Sequence, residues 1–185
     1  MARRIQLALA GSVFLILAVA VLPRSGLGSS SRACGAARGG DYYYDHRVAR
    51  CVFCDIVAGT LEACVVYQDD ASMAFLDRAP LMPGHVLVVP KAHIETLGDL
   101  LSDQVGPYFT IVQRLARAVE QAMHADGSFV ALNIRISQSV PHLHVHVVPR
   151  RKNDGLFGKT FQWIRHPYAS ESAMRETQRA IQAAL

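Results

Sequence analysis

Four cysteines in 185 residues, Cys34, Cys51, Cys54 and Cys64, are too few to staple a fold in place of a hydrophobic core. No internal repeat is visible, which removes solenoid and propeller architectures. No stripe of Lys and Arg interleaved with aromatics runs through the chain. The net charge of +4 therefore gives no nucleic-acid-binding surface. The cationic excess is modest and partly terminal, and suits a phosphorylated small molecule. Acidic residues are missing altogether from residues 1–40, which carry five arginines among many Ser and Gly. The length allows one domain with a real core and is short for two.

The hydrophobic fraction of 51% overstates the core, because much of it lies in residues 1–22. There Arg3 and Arg4 precede an apolar run from Ile5 to Leu22, interrupted by Gln6, Gly11 and Ser12. Such a run lies at the lower edge of what spans a bilayer and is long for a signal-peptide core. Ala18-Val19-Ala20 has the form of a cleavage site, though Leu22-Pro23 follows it closely. Arginines on both sides leave orientation open. The segment reads as a membrane anchor or uncleaved signal, or else as a cleaved or artefactual leader. The protein is accordingly membrane-associated through residues 5–22, or cytoplasmic. Residues 23–47 are Gly-, Ser- and Arg-rich and read as a flexible linker.

Folded sequence begins near Val48. Cys64–Tyr67 and Met73–Leu76 are apolar runs around the turn Gln68-Asp69-Asp70, which predicts a hairpin. His85–Val89 reads as a buried strand between Pro83-Gly84 and Pro90. From Ser102 to His124 the residues Val105, Phe109, Val112, Leu115, Ala116, Val119 and Met123 recur at helical spacing, with Asp126-Gly127 as the closing signal. Ser128–Ile136 and His142–Val148 read as two more strands. Residues 170–185 predict an amphipathic helix with Ala173, Met174, Ile181 and Leu185 on its apolar face. Hairpin-connected strands with one long helix between them specify an α+β fold on an antiparallel sheet of about five strands.

The strongest chemical signal is His142-Leu143-His144-Val145-His146-Val147-Val148. In a strand, alternate side chains share a face, so three imidazoles project together about 7 Å apart while Leu143, Val145 and Val147 point into a core. Stacking three titratable rings brings no packing advantage. His46, His124 and His166 stand alone and read as surface or satisfied groups. Two chemistries use three such imidazoles. They can bind zinc and leave a position for activated water. Alternatively, one ring can attack phosphorus while a backbone carbonyl holds its other nitrogen protonated. Cys51-Val52-Phe53-Cys54 has metal or redox spacing, and Cys64, in an apolar run, reads as core packing.

The run His142–Val148 resembles the histidine-triad (HIT) pattern, in which three histidines alternate with apolar residues. Other elements similar to that family stand around it in order. They are Cys51–Gly59, then Phe75-Leu76-Asp77, Pro80 and Pro83-Gly84-His85 through Pro90-Lys91-Ala92-His93, and Gln138-Ser139-Val140 directly before the triad, with Pro149-Arg150 after it. The resemblance covers residues 48–150, leaving 151–185 as a C-terminal extension. It implies that His144 attacks the α-phosphate of a purine nucleotide conjugate, forming a nucleotidyl-histidine intermediate that water hydrolyses. It also implies that His146 and His85 support the phosphate and the His144 ring. Asp77 would take the ribose hydroxyls, with Phe75 and Leu76 walling the base pocket. Asn133, Gln138 and Ser139 would hold phosphate oxygens, Ser139 also helping to protonate a leaving amine. A structural zinc on Cys51, Cys54, His93 and His142 and a homodimer are further implications.

The stretch Asn133–Gln138 is about two residues shorter than the family pattern and lacks its glycines, which give such a loop its backbone freedom. That departure keeps a nucleotide-binding regulatory module with negligible turnover as an alternative. A metal-dependent hydrolase using all three histidines as zinc ligands is a second. The cations of Arg150–Lys159 and the single Trp163 lie near the leaving group, or form a turn and an anchor for the last helix.

Overall fold

A computed structural model describes residues 51–157 and 163–185. The apolar segment 5–22 and the linker 23–47 lie outside these. Among the described residues no helix is long and apolar enough to cross a membrane. The chain runs α1 (Val52–Val57), β1 (Val65–Gln68), β2 (Ser72–Leu76), β3 (Val86–Pro90), a 3-10 turn (Leu97–Asp99), α2 (Ser102–Ala122), β4 (Gly127–Ala131), β5 (Val145–Arg150) and α3 (Glu171–Ala183). All strand pairs are antiparallel, in the order β1-β2-β3-β5-β4. This is the expected α+β fold.

The two faces of the sheet are buried differently. Val66, Ala74, Leu76, Val86, Val88, Leu143, Val145 and Val147 form the main core with Leu115, Val119 and other residues of α2 and with Ile181 of α3. The opposite face carries Met73, Phe75, Leu87 and Val89, packed against Phe53 and Ile56 of α1. Burying an aliphatic side chain contributes about 1.5–3 kcal/mol. A one-residue slip of β5 would turn Val145 and Val147 to the opposite face and drive the histidines into the helix interface. The core thus fixes the face on which the imidazoles stand.

Four expectations need adjustment. Strand β5 starts at Val145, not His142: its last pair with β3 is Val88 with Val145, while Val89 and Pro90 pair with β2. Residues 142–144 are held instead by the Leu143 N–H donating to the Ile94 carbonyl at 2.6 Å. Strand β4 ends at Ala131, paired with His146, and the chain then leaves the ladder through Arg135 (φ 62°) and Ser137 (φ 59°). Helix α2 is closed by His124, which takes the left-handed backbone at φ 49°, whereas Gly127 opens β4. Finally, Cys64 is fully buried in the core but also disulfide-bonded.

Candidate active site and metal centre

His142 is fully buried, and His144 and His146 nearly so. Each imidazole is held by a different partner. His144 Nδ1 lies 2.6 Å from the His142 carbonyl oxygen. A carbonyl only accepts, so Nδ1 carries the proton and Nε2 keeps its lone pair. Burial lowers the pKa of His144 below the usual imidazole range, and the ring is neutral at pH 7.

The third histidine is set by a relay. The Leu81 main-chain N–H donates to His85 Nδ1 at 3.2 Å, which makes that nitrogen an acceptor. The proton of His85 is therefore on Nε2, which donates to His146 Nδ1 at 3.0 Å. The proton of His146 is left on its own Nε2. That nitrogen is the one buried side-chain polar atom without a hydrogen-bond partner among the described residues. Leaving a buried donor unpaired costs about 1–3 kcal/mol, an expense that fits a group awaiting a ligand. Burial, reinforced by the neighbouring imidazoles, pushes His85 and His146 down to about 3. Asp77 Oδ2, 3.4 Å from His85 Nδ1, consequently faces a neutral ring and makes no ion pair. Its other oxygen accepts the Ala79 N–H at 2.9 Å.

The turn that delivers His85 depends on Gly84. Its φ is +93°, and a Cβ there would lie 2.6 Å from Met123 Cγ. The Phe53 ring closes the other side of the cluster, edge-on to His144 (5.2 Å), Phe75 (5.5 Å) and His142 (5.8 Å).

The cysteine pair meets the same cluster. Cys51 caps α1 and Cys54 follows within its first turn, so spacing three apart sets both thiols on one side. Cys51 Sγ lies 3.3 Å from His142 Nδ1, and Cys54 Sγ 3.2 Å from His93 Nδ1. All four donor atoms fall within 4.8 Å of one another. Tetrahedral zinc with Zn–S of about 2.3 Å and Zn–N of about 2.0 Å has S···N edges of roughly 3.5 Å. The donor set therefore fits a four-coordinate, closed site. His142 supplies a second indication: its Nε2 donates to the Pro90 carbonyl at 2.8 Å, leaving Nδ1 unprotonated and oriented, as a ligating imidazole requires. The three triad rings are poorly arranged to share a metal: His142 turns its free Nδ1 to the cysteines, and His146 offers an N–H at Nε2.

The structure brings together Phe75, Asp77, His85, His142, His144 and His146. Leu76 projects from the opposite face of β2, into the main core. Asn133 is half-buried just beyond β4, and Ser139 is exposed on the loop that follows. Gln138 ties that loop down: its Oε1 accepts the Arg135 N–H and its Nε2 donates to the Glu95 carbonyl, each at 2.7 Å. One residue of the site escaped sequence reasoning: Phe53 was hidden between the cysteines, where aromatic identity was the available signal. Trp163, read as lying near the leaving group or as anchoring the last helix, stands with its ring 5.2 Å from that of His146.

The HIT domain family model matches residues 58–153. The chain belongs to the HIT family. It is similar to protein hit of Bacillus subtilis, 36% identical over 129 residues, which are 68% of this chain and 88% of that one. It is also similar to the asymmetrical bis(5'-nucleosyl)-tetraphosphatase of Schizosaccharomyces pombe, 36% identical over 92 residues, 49% of this chain and 50% of that enzyme. Among solved structures, a zinc-bound histidine triad family protein of Mycobacterium smegmatis superposes with a TM-score of 0.60 at 37% identity. That match covers 72% of this chain and 91% of the other.

The glycine-free HIT loop carries a measurable strain. A left-handed backbone costs a non-glycine residue about 1–2 kcal/mol, against roughly 0.5–1 kcal/mol of extra chain entropy for glycine. Ser137→Gly is expected to raise stability by about 0.5–1 kcal/mol in urea unfolding. A lower midpoint would contradict the loop conformation.

Proposed function

We propose that this HIT protein is a nucleotidyl hydrolase or transferase acting at the α-phosphate of a purine nucleotide conjugate, a nucleoside phosphoramidate or a dinucleoside polyphosphate. The observation that carries this reading is the 2.6 Å bond from His144 Nδ1 to the His142 carbonyl, which reserves the Nε2 lone pair for attack on phosphorus. The buried N–H of His146 stands ready to donate to a non-bridging phosphate oxygen, where charge grows in the transition state. Attack forms an Nε2–P bond and breaks the bond from phosphorus to the leaving group. Water then cleaves the nucleotidyl-histidine and releases the nucleoside monophosphate. Asp77 accepts the ribose hydroxyls, and Phe75 with Phe53 walls the base. Asn133, Gln138 and Ser139 contact phosphate oxygens, Ser139 assisting a leaving amine; for Gln138 this requires exchanging its present loop contacts. The similarity to a dinucleoside polyphosphate hydrolase supports the reaction class.

Zinc on Cys51, Cys54, His93 and His142 is part of the same proposal, and its role is structural because four protein ligands close the tetrahedron. What it supplies is a fixed His142. A homodimer is proposed through β4. The edge at β1 is met by Gln178 and Gln182 of α3, both of which donate to the Val65 carbonyl. Strand β4 is the other edge, with Val130 exposed on it and Ile134 and Ile136 exposed just beyond. An apolar open edge is a surface for pairing.

Adenosine 5'-phosphoramidate and a dinucleoside polyphosphate, incubated with the full chain, are expected to release AMP. His144→Ala should cut the rate by on the order of a thousandfold or more. Chelation should lower Tm by several degrees, with activity falling only as the folded fraction falls. Undiminished turnover in the variant would overturn the nucleophile. Immediate loss of activity on chelation, with the protein still folded, would favour a metal-dependent hydrolase. Full AMP affinity without turnover, in wild type and variant alike, would favour the regulatory module that the shortened loop suggests. For the dimer, Val130→Lys is expected to sediment as a monomer at concentrations where the wild type is a dimer; an unchanged species would place the interface elsewhere.

A further inference from the structure

The C-terminal extension, beyond the residues matched by the family model, returns to the histidine cluster and is pinned there at three points. The Trp163 ring stands edge-on to His146, with centroids 5.2 Å apart. The His166 N–H donates to the Pro80 carbonyl at 2.7 Å. The Tyr168 hydroxyl accepts the Gly84 N–H at 3.1 Å. Pro80 and Gly84 flank the turn that presents Leu81 and His85, the first two members of the relay ending at His146 Nε2. Arg165 is thus held between one anchor on His146 and two on the His85 turn.

Charge gives this placement its meaning. His85 and His146 are neutral, and the Asp77 carboxylate lies beside them. A phosphate entering this end meets donors of hydrogen bonds but also a like charge. Neutral donors alone leave the phosphate's charge uncompensated, and desolvating an uncompensated anion is expensive. Burial first, then the charges of His144 and Arg165, hold His85 in its neutral form; Arg165 itself, between the anchors, is exposed to solvent.

We propose that Arg165 and Trp163 complete the phosphate site from the C-terminal extension. Arg165 supplies the counter-charge to the nucleotide's phosphate, and Trp163 closes the side of His146 against water. The proposal rests on the nucleotide reading above. It assigns to the extension the discrimination between phosphorylated and unphosphorylated nucleosides.

The chain's single tryptophan makes the site visible without turnover. AMP and adenosine are titrated into the full-length protein, with heat and tryptophan emission recorded together. AMP binding should change the emission in proportion to occupancy. Arg165→Gln should weaken AMP roughly tenfold while leaving adenosine within about twofold, and Arg165→Lys should recover part of the loss. Thermal melts of both variants check that the fold is retained. AMP affinity unchanged in Arg165→Gln, or AMP heat without any change in emission, would overturn the proposal while leaving the nucleotide reading intact. A wild type that binds neither AMP nor adenosine would overturn both.

Discussion

Three interactions meet at His142, and the site depends on them. Its Nδ1 faces the two cysteines, its Nε2 donates to Pro90, and its carbonyl accepts the proton of His144. The next residue, Leu143, is fixed through its N–H to Ile94. A single hydrogen bond contributes only about 0.5–1.5 kcal/mol net to stability, so the value of this set lies elsewhere. It determines which nitrogen of His144 keeps its lone pair and where that nitrogen sits. Helix α1, the end of β3 and the loop after it all converge on one peptide unit.

The second constraint is burial. The core between the sheet and helices α2 and α3 dictates the register of β5, and the register pushes the histidines to the other face. There Phe53, Phe75 and Trp163 cover them, which keeps the rings neutral. Neutral imidazoles have definite tautomers, and the main-chain N–H of Leu81 propagates one through His85 to His146. Protonated rings at these spacings would repel one another and lose the lone pair that chemistry needs. The same apolar surroundings that stabilise the fold therefore set the protonation states of the site.

Much of this was legible in the sequence because it is local. The alternation in His142–Val148 separated core from site, the 3.6 spacing of Val105–Met123 marked α2, and the Cys-x-x-Cys pair flagged metal or redox chemistry, in keeping with the Cys51, Cys54, His93 and His142 cluster. What escaped depends on distant partners. Where β5 begins is decided by its partners: the last pair with β3 is Val88 with Val145, and Leu143 bonds instead to Ile94. The left-handed closing residue of α2 is His124, although Gly127 carries the stronger turn chemistry. Six-residue α1 is too short to show a period. Leu76 shares its strand with Phe75 and, by the pleat, has to face away from it. Gln138 bridges Arg135 and Glu95, a contact 43 positions apart on one side. Trp163 carried two alternative readings in the sequence, because it reaches His146 by tertiary folding.

In the proposed reaction His144 Nε2 becomes bonded to phosphorus. Rapid acid-free quenching during turnover of a dinucleoside polyphosphate, followed by proteolysis and mass spectrometry, tests it directly. A nucleotidyl adduct is expected on the peptide containing His144, carried by that residue and absent from His144→Ala. AMP release with no adduct at any time, or an adduct on His142 or His146 instead, would contradict it.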